Sequence, residues 1–335
     1  MSVSEADWAA AISLLDAHDD VCLICHVGPD GDALGSMLAL GMALRDRGCR
    51  VRASWGSQPF VVPTSYAELP GLDLLVPALE IPAAPELLIT FDTGSTDRLG
   101  TLADRVATAH AVLVLDHHVT NTRFGTVNVV DERAAATAVV VVELLDRMGL
   151  ELTAQIAASV YTGLVTDTGS FKYAATTPEV HQLAARLLAT GIQHERISRH
   201  IWDTAPFAYV QLLGAACGRA VIEPDAVDGI GLVWTTVTAH DLEQFGLALS
   251  DVEGVIDALR VAQEAEVAVV VKSDPADGLL KVSTRSKGLV DVGAVCESLG
   301  GGGHRFAAGF TSRDDIDVTM ERLRNALAAT PHLLP

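Results

Sequence analysis

The chain has 335 residues, 49% of them hydrophobic, so a large core can be buried and two domains of ordinary size fit. A formal net charge of −20 argues against a protein that coats long nucleic acid, which needs a basic footprint. Five cysteines do not suggest a disulfide framework, no apolar run approaches a membrane span, and Met1 to Asp7 is acidic and polar, unlike a signal peptide, so the cytoplasm is the expected compartment and no membrane partner is expected.

The first apolar run, Val21 to Cys25, reads as a buried strand. Its Cys22 and Cys25 form C-x-x-C, but on a strand they point to opposite faces and read as core residues. His26-Val-Gly-Pro-Asp30-Gly-Asp32 follows at once, and then a helix over Leu34 to Asp46. Gly31 is expected to turn this loop sharply enough for both aspartates to face inward. The plainer alternative is an Asx-turn capping the helix. Leu87 to Phe91 is a second strand, ending in Asp92-Thr93-Gly94, and Ala111 to Leu115 a third, ending in Asp116-His117-His118. Thr137 to Met148 reads as a helix stopped by Gly149. A helical stretch from Ala154 to Val165 runs into Thr166-Asp167-Thr168-Gly169, and Thr177-Pro178-Glu179 opens a helix that Gly191 ends. Short buried strands separated by helices predict a parallel α/β sheet, whose ligands lie beyond the carboxyl ends of the strands.

The segment from Ser198 to Ala216 reads as a connecting helical stretch interrupted near Pro206. Beyond it, Gly231 to Val237 and Glu266 to Lys272 read as strands, with a helix over Val252 to Glu264 before the second. Asp277-Gly278 is a turn, Leu279 to Thr284 another strand, and Asp291 to Leu299 a helix that runs into Gly300-Gly301-Gly302-Gly303-His304. The expected organisation is therefore a catalytic α/β domain over residues 1–190, a helical linker over 191–216 and a smaller α/β domain over 217–335, with no internal repeat.

The chemistry lies in the four acidic segments. Three strands deliver His26, Asp30, Asp32, Asp92 and the Asp116 to His118 triplet to one sheet edge, and a helix brings Asp167. Carboxylate oxygens and imidazole nitrogens are ligands for divalent ions. Asp92 is central enough to bridge two of them. Adjacent histidines after a buried strand are costly without partners; one can bind metal while the other faces substrate, and Asp116 is then an orienter. Asp167 at a helix C-terminus opposes the helix dipole and favours a cation beside it. Asp30, Asp32, Asp92 and Asp167 carry four negative charges, which two divalent ions would balance. A substrate phosphate then needs donors. Arg285, Ser286, Lys287, the glycine run with Gly302 and Gly303, and His304 are the candidates, the glycines as a backbone anion nest.

These motifs resemble the DHH phosphoesterase superfamily, named for the triplet at Asp116 to His118, and Gly300 to His304 resembles the motif of its DHHA1 domain. The resemblance spans nearly the whole chain. It is closest to the short two-domain branch of nanoRNases, phosphoadenosine-phosphate phosphatases and cyclic di-AMP phosphodiesterases. It implies His26, Asp30 and Asp92 on one ion, and Asp32, Asp92, His117 and Asp167 on the other. It places His118 near the phosphate, with manganese the usual metal. It also implies short nucleotides or a cyclic dinucleotide as substrate and a homodimer as the common assembly. The rivals are a manganese inorganic pyrophosphatase and a nucleotide sensor that binds without cutting.

Overall fold

A computed structural model describes residues 3–333, so the first two residues of the acidic N-terminal stretch and the last two of the expected C-terminal domain lie outside the described residues. The chain divides into two compact units, Met1–Thr204 and Ala205–Pro335.

The first unit runs α1 (Glu5–Ala17), β1 (Asp20–Cys25), α2 (Gly31–Asp46), β2 (Arg50–Trp55), β3 (Leu87–Phe91), α3 (Asp104–Thr108), β4 (Ala111–Asp116) and β5 (Val127–Val130). Helices α4 (Thr137–Arg147), α5 (Ala154–Asp167), α6 (Pro178–Ala189) and α7 (His194–Trp202) complete it. The five strands are all parallel, in the order β2-β1-β3-β4-β5. The apolar runs predict the three inner strands and not the two edges. The reason is physical: β2 carries Arg50 and Arg52 on a half-buried edge, and β5 is four residues long with Asn128 inside it. Cys25 faces the larger core, with Leu23, Leu34 and Leu164, and Cys22 faces the other layer, with Leu88 and Leu99. Each fully buried leucine of this kind contributes about 1.5–3 kcal/mol.

Helix α2 is buried from Gly31 to Leu44, so it has no polar face and runs through the middle of the unit. It packs closely on α5. A Cβ on Gly35 would lie 2.3 Å from the Ser159 carbonyl oxygen, and one on Gly163 would lie 2.6 Å from Asp32 Oδ1. Two expectations are corrected here. The helix begins at Gly31 and not at Leu34, because the Asp30 carboxylate accepts from the N–H of Asp32 at 3.1 Å and of Ala33 at 3.0 Å and so caps it. Gly31 is the first helical residue and not a left-handed turn; what it supplies is space, since a Cβ there would meet Thr166 Cγ2 at 2.5 Å.

The second unit runs α8 (Phe207–Gly218), β6 (Val221–Glu223), a short turn α9 (Ala226–Gly229), β7 (Leu232–Val237), α10 (Ala239–Phe245), α11 (Val255–Leu259), β8 (Val267–Ser273) and β9 (Leu280–Ser286). It continues through α12 (Val292–Ser298), β10 (Gly302–His304), β11 (Ala307–Ser312) and α13 (Ile316–Ala329). Its sheet has the order β10-β11-β9-β8-β7-β6, with only β7 and β8 parallel. Val267, Val269 and Val271 pack on one face against Val295 and Leu323, while Ala268 and Val270 pack on the other against Leu212 and Ile256. The helix expected over Val252 to Glu264 shrinks to α11, with Gly254 ahead of it and exposed polar residues beyond it. Residues 191–216 hold two helices: α7 sets Ile197 and Ile201 against the first core, and α8 sets Leu212 and Ala216 in the second.

Candidate metal centre

The strand ends of the first unit bring the expected residues together. His26 follows β1, Asp92 follows β3, His117 and His118 follow β4, Asp30 caps α2, Asp32 lies in its first turn, and Asp167 ends α5. Within this unit three groups each have their ligand atoms within 4.8 Å of one another: His26, Asp30 and Asp92; Asp32, Asp92 and His117; and Asp92, Asp116 and His118. Asp92 belongs to all three. Its Oδ2 lies 3.4 Å from His26 Nε2, and its Oδ1 lies 3.5 Å from His117 Nε2. Asp92 takes a left-handed backbone, φ 53°, which aspartate tolerates better than most residues. Asp167 Oδ2 lies 3.1 Å from His117 Nε2.

Backbone carbonyls fix both imidazoles. His26 Nδ1 is 3.0 Å from Val27 O and His117 Nδ1 is 3.1 Å from Ala134 O. A carbonyl only accepts, so each ring donates from Nδ1 and turns Nε2 towards the carboxylates. Carboxylate–histidine pairing fixes His118 as well, since its Nδ1 lies 2.7 Å from Asp116 Oδ1. Asp116 is fully buried; the same oxygen accepts from His117 N at 2.8 Å, and Oδ2 accepts from Asn121 at 2.5 Å.

Asp32 is fully buried too. Its oxygens accept from Thr137 N at 2.5 Å and Ala138 N at 2.9 Å, so it caps α4, whose own cap residue, Ala136, has no side chain to do so. Even so, burial, and then the charges of Asp167 and Asp92, push its carboxyl well above the usual range. Asp167 is raised by burial against the opposing pull of His117. Burial would lower the His26 imidazole, but its contacts with Asp30 and Asp92 outweigh that and raise it to about 10. His117 is raised well above its ordinary value in the same way, burial being outweighed by Asp167 and Asp92. Four carboxylates and two imidazole nitrogens thus crowd one place, with Asp30 at its exposed edge. Asp32, Asp167, His26 and His117 hold protons they would otherwise give up, while the histidine contacts outweigh burial and lower Asp30 and Asp92, the latter well below the usual range. Divalent cations fit that donor set: they replace the protons, and two of them match four carboxylate charges.

Three further residues here lie outside the acidic motifs. Asn121 Nδ2 bonds Asp116 and also Thr93 O at 3.1 Å. Thr137 Oγ1 donates to Asp92 Oδ1 at 3.0 Å. Burial, then the Asp30 charge, raises the Tyr66 phenol, which sets that group beside the same carboxylates. Only Thr137 had a hint, as the first residue of an expected helix.

In the second unit the expected residues divide. Arg285 and His304 lie on cross-strand neighbours, Arg285 opposite Ala307 and His304 opposite Ala307, on the sheet face away from buried Val282, Thr284 and Ala308. Gly302, opposite Gly309, lies on the same face. Ser286 turns inward: its hydroxyl donates to Glu266 at 2.7 Å and accepts from Gly288 N and Val290 N. Lys287 donates to the Ala262 carbonyl. In the glycine run the first two N–H groups are already used. Gly300 and Gly301 donate to Glu297 and Cys296 carbonyls at the end of α12, and Gly302 and Gly303 enter β10. A Cβ on Gly301 would lie 2.1 Å from Gly309 O, so glycine there serves close strand approach.

The family model for the N-terminal domain of the DHH family matches residues 20–164, and that for the DHHA1 domain matches residues 235–331. The chain is 36% identical over 308 residues to a protein of Thermus thermophilus named bifunctional oligoribonuclease and PAP phosphatase NrnA, covering 92% of this chain and 89% of that one. It belongs to the DHH family. As a DHH protein it is a phosphoesterase, a hydrolase. The cyclic-di-AMP phosphodiesterase GdpP of Geobacillus thermodenitrificans is 26% identical, but the match covers 94% of this chain and 48% of that one. A solved structure from Bacteroides fragilis, described as an exopolyphosphatase-related protein, superposes with a TM-score of 0.86 over 97% of this chain and 96% of that one, at 22% identity, and shares the fold. Among the described residues no helix is long and apolar enough to cross a membrane.

Proposed function

We propose that the chain is a manganese-dependent phosphoesterase that hydrolyses short nucleotides to mononucleotides. The observation that carries this is Asp92, whose two oxygens face His26 on one side and His117 on the other, in two ligand groups that share it. His26, Asp30 and Asp92 would hold one divalent ion, and Asp32, Asp92, His117 and Asp167 a second. When bound, the ions supply Lewis acidity at phosphorus and a water of lowered pKa. A mixed set of imidazole and carboxylate donors suits manganese better than an all-oxygen set would.

The chain's own groups do the rest. Asp116 holds the Nδ1–H of His118, so Nε2 is the atom presented to substrate. Burial opposes a proton on that ring, but Asp116 and Asp92 outweigh it and raise its pKa. His118 therefore acts as a proton or hydrogen-bond donor to the phosphoryl group. Water attacks phosphorus, the bond to the leaving ribose oxygen breaks, and that oxygen takes up a proton. Arg285, Gly302 and His304 would bind the nucleotide from the second unit, while the inward Ser286 and the engaged Lys287 serve its structure.

The family relative named for oligoribonuclease and PAP phosphatase activity matches almost end to end, which supports linear dinucleotides and phosphoadenosine phosphate as substrates. The relative named for cyclic di-AMP is about twice as long as its match, so that substrate has weaker support. The test is turnover with added manganese on linear dinucleotides, phosphoadenosine phosphate, cyclic di-AMP and pyrophosphate. Mononucleotide release from the first two is expected, with rates that drop steeply for RNA longer than a few residues, because an acidic surface gains little from a long polyanion. Turnover of pyrophosphate alone would overturn the reading.

A further inference from the structure

In a chain of net charge −20, arginines mostly face carboxylates: Arg45 meets Asp73 at 2.8 Å, Arg186 meets Asp146 at 2.5 Å and Arg324 meets Glu223 at 2.6 Å. Arg98 does not. Among the described residues no carboxylate oxygen lies within 4.0 Å of its guanidinium. Yet it stands at the edge of the most acidic place in the first unit. Its Nη2 is 3.4 Å from Nδ1 of His26, while Asp30 and Asp92 lie 3.7 Å and 3.4 Å from the other nitrogen of that ring. Since Nδ1 donates its proton to Val27 O, it cannot also accept from Arg98, so this contact does not hold the arginine in place.

The backbone that carries Arg98 is firmly set. Val27 N donates to Arg98 O at 2.8 Å, and Arg98 N to Ser95 O at 3.2 Å. Three residues on, Thr101 donates from both N and Oγ1 to Gly56 O at 3.0 Å. The 3-10 segment Thr96–Leu102 is thus stitched to the residues that follow β1 and β2, and it presents Arg98, exposed, at the carboxyl edge of the sheet. That edge is where open α/β sheets bind ligands. Once cations balance the four site carboxylates, a guanidinium beside them is surplus positive charge. A bound phosphate is the negative charge that answers it, and the planar fork of arginine matches phosphate oxygens in pairs.

We propose that Arg98 is a substrate-binding residue whose guanidinium grips a non-bridging phosphate oxygen of the nucleotide held at the metal centre. This rests on the nucleotide reading above and adds to it that the first unit grips phosphate itself. The competing role is a structural one, in which Arg98 merely covers His26 and acts on metal retention.

The experiment measures binding of AMP and of inorganic phosphate to the manganese-loaded full chain by calorimetry, with metal content determined on the same samples. Arg98→Ala should weaken both ligands about tenfold or more, the usual loss for a hydrogen bond to a charged group, with metal content unchanged. Arg98→Lys should fall between, keeping charge and losing the fork. In turnover, KM should rise more than kcat falls. Unchanged affinity for both ligands in Arg98→Ala overturns the proposal, and so does loss of metal from that variant. Because the readout is binding, a wild-type chain that binds AMP through Arg98 but turns over no nucleotide would sink the function and leave this site standing.

Discussion

Glu266 and Ser286 in the second unit, and Asp32, Asp92 and Asp167 in the first, are polar side chains withdrawn from water, and their surroundings differ in kind. Glu266 Oε1 accepts from the Ser286 hydroxyl at 2.7 Å and Leu289 N at 2.8 Å, and the Ser286 oxygen accepts from two further backbone N–H groups. One charge is surrounded by donors. In the first unit, carboxylates lie near carboxylates: burial raises the Asp32 carboxyl, and the like charges of Asp167 and Asp92 raise it further. A buried polar knot whose donors and acceptors match is a structural fastening. A buried cluster in which carboxylates outnumber the imidazoles set among them is built for something the protein must bind.

The comparison breaks most sharply at Asp92. Asp92→Ala should lower turnover by about a thousandfold or more, since metal ions contribute several kcal/mol to such transition states. If Asp92 bridges the proposed pair of ions, the variant should also lose bound metal from both groups at once. Metal analysis and steady-state kinetics on the purified variant check this; unchanged metal content would reduce Asp92 to a turn residue.

Removing and restoring metal probes the same cluster as a whole. Manganese at about 100 times its Kd should stabilise the first unit by about 2.7 kcal/mol for each ion bound, and leave the intrinsic stability of the second unit unchanged. The pH dependence has a definite sign. Without metal, the Asp30 and Asp92 contacts outweigh burial and raise the His26 imidazole to about 10, so it carries a proton at neutral pH that a cation must displace. Metal affinity should therefore rise with pH across the neutral range, with net proton release seen when calorimetry is repeated in buffers of different ionisation heat. Affinity that is flat with pH would contradict the crowding described above.

In the second unit the contrast runs the other way. Ser286→Ala should cost about 1–3 kcal/mol of stability, because it leaves Glu266 and two backbone N–H groups short of a partner, and should not change KM. Arg285→Ala should raise KM and leave unfolding within about 0.5 kcal/mol. Denaturant melts and kinetics on the pair decide which residue belongs to which class. The smallest effect is expected at Gly302, where an added Cβ meets nothing within 4 Å: Gly302→Ala should unfold like the wild type to within about 0.5 kcal/mol. Gly301→Ala, driven against Gly309 O, should be clearly less stable by the same measurement.

Much of the first unit could be read from the chain because its inner strands are continuous apolar runs, and a run that ends abruptly in Asp or His marks a sheet edge. The run Leu87 to Phe91 followed by Asp92, and Ala111 to Leu115 followed by Asp116, are of this kind. The edge strands β2 and β5 escaped because half-buried strands admit polar residues. The second unit misled more. Four glycines in a row suggested an anion nest, but glycine is also what two closely apposed strands need, and sequence does not separate those uses. Ser286 beside Arg285 looked like a partner in binding; strand alternation sends adjacent side chains to opposite faces.

By itself the sequence determined the kinds of donor and the strands that carry them. Apolar periodicity fixes which segments are buried, and residues just past a buried parallel strand have one edge on which to lie. Tertiary structure alone decided which atoms meet. The approach of α2 to α5 across Gly35 and Gly163 sets Asp32 against the helix that ends in Asp167, and only folding brings the N–H groups of Thr137 and Ala138 onto Asp32, 105 and 106 residues away. The same holds for Asn121 on Thr93 and Arg98 beside His26. Such pairings join segments whose separation along the chain carries no local signal, so they depend on how the helices pack and not on the pattern of any one segment.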